Sequence, residues 1–129
     1  DYGAEHAIDL CSLEELLAAS DIVSLHVPLT SRTRRMIGRA ELARMKPTAL
    51  LINTTRGGVV DEEALVDALE HGAIAGAASD VFAEEPTANA RLLAFETFIG
   101  TPHVAGNSRE AIHAVGMAAI ENLTKHFAQ

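Results

Sequence analysis

Hydrophobic positions along the chain switch repeatedly between a helical and an extended period. Ser12-Leu13-Glu14-Glu15 has the layout of a capping box, with Ser12 as N-cap and Glu15 reaching back, and opens a short helix to about Ala19. Asp21 to Val27 is rich in strand formers and ends at Pro28, which has no donor for a ladder. Arg39 to Met45 reads as helix and is stopped by Pro47. Ala49 to Thr55 predicts a second strand, and its continuous apolar run predicts cover on both faces, as in parallel sheets. Asp61 has the chemistry of an N-cap, with Glu62 and Glu63 where the helix dipole favours anions. Ala64, Leu65, Ala68 and Leu69 make one stripe, and Gly72 fits the C-terminal cap. Ala73 to Val81 predicts a third strand, Phe82 to about Ala94 a loop, and Thr97 to Gly100 a short fourth strand closed by Thr101-Pro102. Ser108 caps a long last helix with Ile112, Val115, Ala119, Ile120, Leu123 and Phe127 on one face.

Strands alternating with helices imply βαβ units, a parallel sheet and right-handed crossovers, an α/β fold with helices on both faces. With 129 residues the chain is expected to form one compact unit. At 48% apolar but only 4% aromatic residues, its core is expected to be aliphatic. Ten basic against eighteen acidic residues give a net charge of −8, which argues against a nucleic-acid partner. The single Cys11 excludes an internal disulfide, suits a reducing compartment and reads as a small core residue. No apolar run approaches a membrane span and no signal-peptide layout is visible, so a soluble cytoplasmic protein is expected. Asp1 in place of an initiating methionine hints at a fragment.

Open parallel sheets bind ligands beyond the carboxyl ends of their strands, which directs attention to the residues just after each strand. There stand His26 to Thr30, then Thr54-Thr55-Arg56-Gly57-Gly58, then Asp80 to Pro86, then Thr101 to Gly106. Taken singly each has a bland reading. Arg56 can be a solvated turn arginine, Glu85 a surface acid beside Glu84, His103 a satisfied structural histidine, and Asp80 a turn cap. Together they place a guanidinium, carboxylates and an imidazole on one sheet edge. A guanidinium grips a carboxylate bidentately, and the flanking glycines let a ligand approach the backbone. A histidine moves a proton near neutral pH, and a carboxylate on its second ring nitrogen fixes its tautomer. Such a set suits interconversion of 2-oxo and 2-hydroxy acids, provided a hydride carrier is present.

At these residues the sequence resembles the D-isomer-specific 2-hydroxyacid dehydrogenases, an NAD(P)-dependent family, from about Tyr2 to about Phe127. The likeness is carried in order by ASDIVSLHVPLTSRTRRMIG, LARMKPTALLINTTRGGVVDEEALVDAL, IAGAASDVFAEEP and TPHVAG. It implies that Arg56 binds the substrate carboxylate, that His103 is the general acid/base and that Glu85, just before Pro86, pairs with it. It implies that Asp80 bonds the nicotinamide carboxamide. It also implies that Val27, Pro28, Thr54, Thr55, Ala105 and Gly106 line the nicotinamide and ribose, with Thr33 a further contact and Arg56 and His103 bordering the same cofactor site. NAD or NADP is the implied cofactor, NAD favoured, with no metal. The implied substrate is a small 2-oxo or 2-hydroxy acid, and the implied assembly a homodimer. Glu85 argues against the related formate dehydrogenases, which carry Gln there.

Thr48 departs from the usual KPG, Ser79 replaces an apolar residue, and Asn107 stands where a small residue is common. The family's GxGxxG phosphate loop does not occur in these residues, and Asp1 falls several positions too late to be its ribose-binding acid. The chain therefore resembles the second half of a Rossmann-type cofactor domain, carrying the catalytic residues without the pyrophosphate cradle or the separate substrate domain. By itself it is expected to be inactive. The NAD/NADP determinant is expected to precede residue 1. The alternative reading is a dinucleotide-sensing scaffold like the C-terminal-binding-protein corepressors, which resemble the same family.

Overall fold

A computed structural model describes residues 2–6, 8–87 and 89–128, so Asp1 lies outside the described residues. After a short helix α1 (Tyr2–Glu5), the elements run α2 (Leu13–Ala19), β1 (Ile22–Leu25), α3 (Arg39–Leu42), β2 (Leu50–Asn53), α4 (Glu62–Glu70), β3 (Gly76–Ser79), α5 (Ala90–Leu93), β4 (Phe98–Gly100) and α6 (Arg109–Phe127), with a 3₁₀ turn at Gly57–Val59. The four strands form one parallel sheet in the order β1-β2-β3-β4. The expected α/β architecture is present.

Local chemistry explains the helix ends. Ser12 Oγ accepts from the Glu15 amide while the Glu15 carboxylate accepts from the Ser12 amide, so the capping box is closed. Asp61 accepts from the Ala64 amide, and Ser108 accepts from the Ala111 amide. At the end of α4 the Gly72 amide bonds the Leu69 carbonyl and the Ala73 amide the Ala68 carbonyl. These two bonds form a Schellman motif, which requires the left-handed backbone that Gly72 adopts at φ 65°.

One continuous core packs α2 to α5 against one face of the sheet. Leu17, Leu42, Val66 and Leu92 meet Val23, Leu25, Leu51, Ala77 and Phe98 there. The opposite face is open among the described residues, with Ile22, Leu50 and Ile99 exposed. The expected cover on both faces is thus realised on one. No residue of α6 is buried, although Ile112, Val115, Ile120, Leu123 and Phe127 carry the apolar pattern. Cys11 is exposed, not a core residue, because the segment leading into α2 runs over the surface beside an exposed Leu10. The expected loop after Phe82 contains α5, whose N-cap Asn89 accepts from the Leu92 amide.

Candidate functional site

All four strands point their carboxyl ends to the same edge, and the residues singled out in the sequence sit beyond those ends. β2 ends at Asn53, which is buried and polar. Its Oδ1 accepts from the Thr55 amide and hydroxyl, and its Nδ2 donates to the Arg56 carbonyl. Asn53 thereby satisfies the backbone of the turn that presents Arg56. Sequence reasoning passed over it as part of an apolar strand; a lone amide closing such a run was the available signal. Arg56 is exposed, with one guanidinium N–H donated to the Thr55 carbonyl at 2.6 Å, so most of its donors remain for a ligand. The next residue, Gly57, lies against backbone: a Cβ there would fall 1.9 Å from the Phe82 carbonyl carbon.

Beyond β3 the buried Asp80 carboxylate is a hub. Oδ1 accepts from the Thr101 hydroxyl at 2.5 Å and the Val104 amide at 2.8 Å, and Oδ2 from the Ala105 amide at 2.8 Å. Burial pushes the Asp80 carboxyl up, but the Thr101, Ala105 and Val104 donors and the nearby His103 outweigh it and hold it below the usual aspartate range. The hub fixes both flanks of His103, which adopts a left-handed backbone at φ 55°. Non-glycine residues in that region persist where surrounding bonds enforce them, often at functional sites. Ser79, an atypical residue in its motif, is buried with its hydroxyl donated to the Val81 carbonyl.

Glu85 and His103 meet directly, with Glu85 Oε2 and His103 Nδ1 2.8 Å apart. Glu85 Oε1 accepts from the Phe82 amide at 2.9 Å. The bond from His103, then that from Phe82, hold the Glu85 carboxyl below the usual glutamate range against burial and the charge of Asp80. An ionised Glu85 accepts only, so Nδ1 carries the proton and Nε2 is left for a ligand.

Three clefts run along this edge. His26, Val27, Pro28, Leu29, Thr54, Thr55 and Arg56 line one of about 620 Å³. Thr54 also borders a second, of about 260 Å³, where Asp80, Thr101, Val104 and Ala105 face Ile52, Ala78, Ser79 and Ile99. Thr101 borders the third, of about 480 Å³, with Glu85, His103, Phe82 and Pro102 among its walls. Shared Thr54 and Thr101 make the series continuous from Arg56 to His103. Thr33 is occupied in closing the turn after β1: its hydroxyl donates to the Pro28 carbonyl and accepts from the Thr30 amide. Gly106 is exposed, with open space around it. Among the described residues no three His, Cys, Asp or Glu side chains converge as metal ligands. The middle cleft has the chemistry to take a flat heteroaromatic amide: Ile52, Ala78 and Ile99 give it an apolar lining, and Asp80 Oδ2, with one donor on it, has capacity for another.

Residues 2–105 match the family described as D-isomer specific 2-hydroxyacid dehydrogenase, NAD binding domain. The whole chain aligns at 51% identity over 130 residues with a glyoxylate reductase of Aeropyrum pernix, covering 37% of that protein. It aligns at 45% identity over 113 residues with a D-3-phosphoglycerate dehydrogenase of Methanocaldococcus jannaschii, covering 88% of this chain and 22% of that one. The crystal structure of a D-isomer specific 2-hydroxyacid dehydrogenase from Lactobacillus delbrueckii ssp. bulgaricus, in its NAD-complexed form, superposes with a TM-score of 0.87 at 32% identity, covering 99% of this chain and 44% of that one. The chain thus spans less than half the length of these relatives.

Proposed function

The chain belongs to the D-isomer-specific 2-hydroxyacid dehydrogenase family through its NAD-binding domain, and from that premise we propose that it anchors and protonates a 2-oxo acid during reduction, or deprotonates the 2-hydroxy acid in reverse. The observation that carries the reading is the 2.8 Å contact between Glu85 and His103 Nδ1 at the sheet's carboxyl edge. Arg56 grips the substrate carboxylate as a bidentate donor. Glu85 fixes the ring of His103 through Nδ1. His103 gives its Nε2 proton to the substrate oxygen as negative charge develops there, and takes it back in the oxidative direction.

The proposed cofactor is a nicotinamide dinucleotide, with NAD favoured over NADP; when bound in reduced form it supplies the hydride. Asp80, Thr54 and Ala105 would hold its carboxamide end. Val27, Pro28, Thr33, Thr55 and Gly106, with the flanks of Arg56 and His103, would border the rest. Turnover by these 129 residues alone is not expected, since they contain no glycine-rich phosphate loop. The same proposal includes a homodimer and a cytoplasmic setting, for which the single cysteine is suited.

The test is a chimera in which these residues replace the matching segment of the Aeropyrum pernix glyoxylate reductase, assayed for NADH- and NADPH-dependent reduction of glyoxylate, hydroxypyruvate and pyruvate. His103→Asn is expected to lower kcat by about 10²- to 10⁴-fold. Arg56→Ala is expected to raise KM for the acid while leaving NADH affinity unchanged. A chimera that binds NADH and reduces no 2-oxo acid would favour the sensing scaffold, and an active His103→Asn protein would overturn the assignment of the proton donor.

A further inference from the structure

We propose that Glu62 is a positioning residue for the proton-transfer pair, locking the loop that carries Glu85 onto the turn that carries Arg56. This rests on the functional reading above. Glu62 is the first residue of α4, directly after the N-cap Asp61. Its carboxylate leaves the helix and bridges the Glu85 loop: Oε1 accepts from the Ala83 amide at 2.6 Å, and Oε2 from Asn89 Nδ2 at 3.3 Å. The two anchor points lie on either side of Glu85 in sequence. Asn89 is itself held, because its Oδ1 caps α5 through the Leu92 amide.

The bonds form one train. Glu62 fixes Ala83; the adjoining Phe82 amide fixes Glu85 Oε1; Glu85 Oε2 fixes His103 Nδ1. On the other side, Gly57 lets the Arg56 turn touch the backbone of Phe82 and Ala83. Where a side chain on Gly57 would drive the two segments apart, Glu62 draws them together. The carboxylate is favoured at this place by the amino end of α4. Neighbouring Glu63 has the same charge on the same turn, but its carboxylate faces Arg91 on the surface. A general effect of charge on α4 would involve both acids; the loop contact involves Glu62.

The experiment follows the Glu85 carboxyl by carbon NMR titration in the 129-residue chain, with Glu85→Gln to assign its signal. The ionisable groups facing Glu85 are His103 and Asp80, both retained throughout. Glu62→Ala should move the Glu85 midpoint up toward the ordinary glutamate range. Glu62→Gln, whose amide oxygen still accepts from Ala83 but whose amino group faces Asn89 Nδ2, should move it part of the way. Glu63→Ala should leave it in place. In the chimera, Glu62→Ala should lower kcat about ten- to a hundredfold with KM within about twofold, since a small misplacement of a catalytic group has effects of that order. An unchanged Glu85 midpoint in folded Glu62→Ala overturns the proposal, and Glu62→Gln decides it alone if the alanine variant does not fold. The titration needs no turnover. A midpoint that responds in a chimera reducing no 2-oxo acid overturns the functional reading and leaves the lock intact.

Discussion

Gly57→Ala is the perturbation whose size can be worked out most directly. An ideal Cβ at this position would lie 1.9 Å from the Phe82 carbonyl carbon, 2.1 Å from its oxygen and 2.4 Å from the Ala83 nitrogen. Carbon atoms settle at about 3.5–4.0 Å, so the two segments must separate by roughly 1.5 Å. All three obstacles are backbone, and no side-chain rotation relieves them. Overpacking of this kind costs about 1–3 kcal/mol. Separation also stretches the Ala83 amide bond to Glu62 and disturbs the Phe82 amide bond to Glu85, worth about 0.5–1.5 kcal/mol each. The sum is about 2–6 kcal/mol, a large part of the 5–15 kcal/mol typical of a domain. Urea unfolding of the purified chain, followed by circular dichroism, reads it. Gly106→Ala is the control, because nothing lies within 4 Å of its Cβ position; it should shift stability by less than about 0.5 kcal/mol. If Gly57→Ala unfolds within 0.5 kcal/mol of the parent, the Arg56 turn and the Glu85 loop are not packed as described.

Asp80→Asn leaves three donors facing a group with fewer acceptor sites and no charge, and should cost about 2 kcal/mol in the same assay; a change under 0.5 kcal/mol would remove Asp80 as the hub. Because the Asp80 and Glu85 carboxyls both sit below their ordinary ranges when folded, they bind protons more readily unfolded. Their contribution to stability is therefore complete above the ordinary carboxyl range, about pH 4, and is lost as pH falls through the lowered folded values. Followed by carbon NMR, the Asp80 and Glu85 carboxyl signals should have their midpoints below about pH 4; a midpoint above the ordinary carboxyl range for either would contradict that sign. Gly72→Ala should cost about 1 kcal/mol through its left-handed backbone alone, since its Cβ would meet open space. A neutral Gly72→Ala in the unfolding assay would mean that α4 ends otherwise.

What was legible in the sequence was mainly local. The Ser12–Glu15 box and the Gly72 cap each close within a few residues, so their chemistry can be read without knowing the fold. The parallel sheet followed from alternation of periods, and the strand-end rule then located Arg56, Asp80, Glu85 and His103 together. Burial was less legible. Leu50 and Ile99 belong to strands whose composition suits cover on both faces, yet both are exposed. Composition records what a face prefers to meet; whether anything meets it depends on other segments. The same holds for the apolar stripe of α6. Glu62 was legible as a helix-start acid but not as a tether, because its partners Ala83 and Asn89 are 21 and 27 residues away.

Asn53 and Asp80 point to a more general reason why the site sits where it does. A parallel strand that leaves its ladder exposes amides and carbonyls that the next strand no longer satisfies, and burial makes them costly. β2 meets this need with its own last paired residue, Asn53, which closes the Arg56 turn; the His103 loop after β4 is met from the neighbouring strand, by the buried Asp80 just beyond β3. β1 ends at buried Leu25 with no such residue, and its turn is closed further on by Thr30 and Thr33. Of these ends, those of β2 and β4, closed by Asn53 and Asp80, present the proposed anchor and proton donor, whereas the threonine-closed end of β1 presents none of the three catalytic candidates. A hydropathy profile treats Asn53 and Asp80 as interruptions of apolar strands. Physically, they allow a buried strand to end in a fixed turn, and fixed turns are what hold Arg56 and His103 at the cleft.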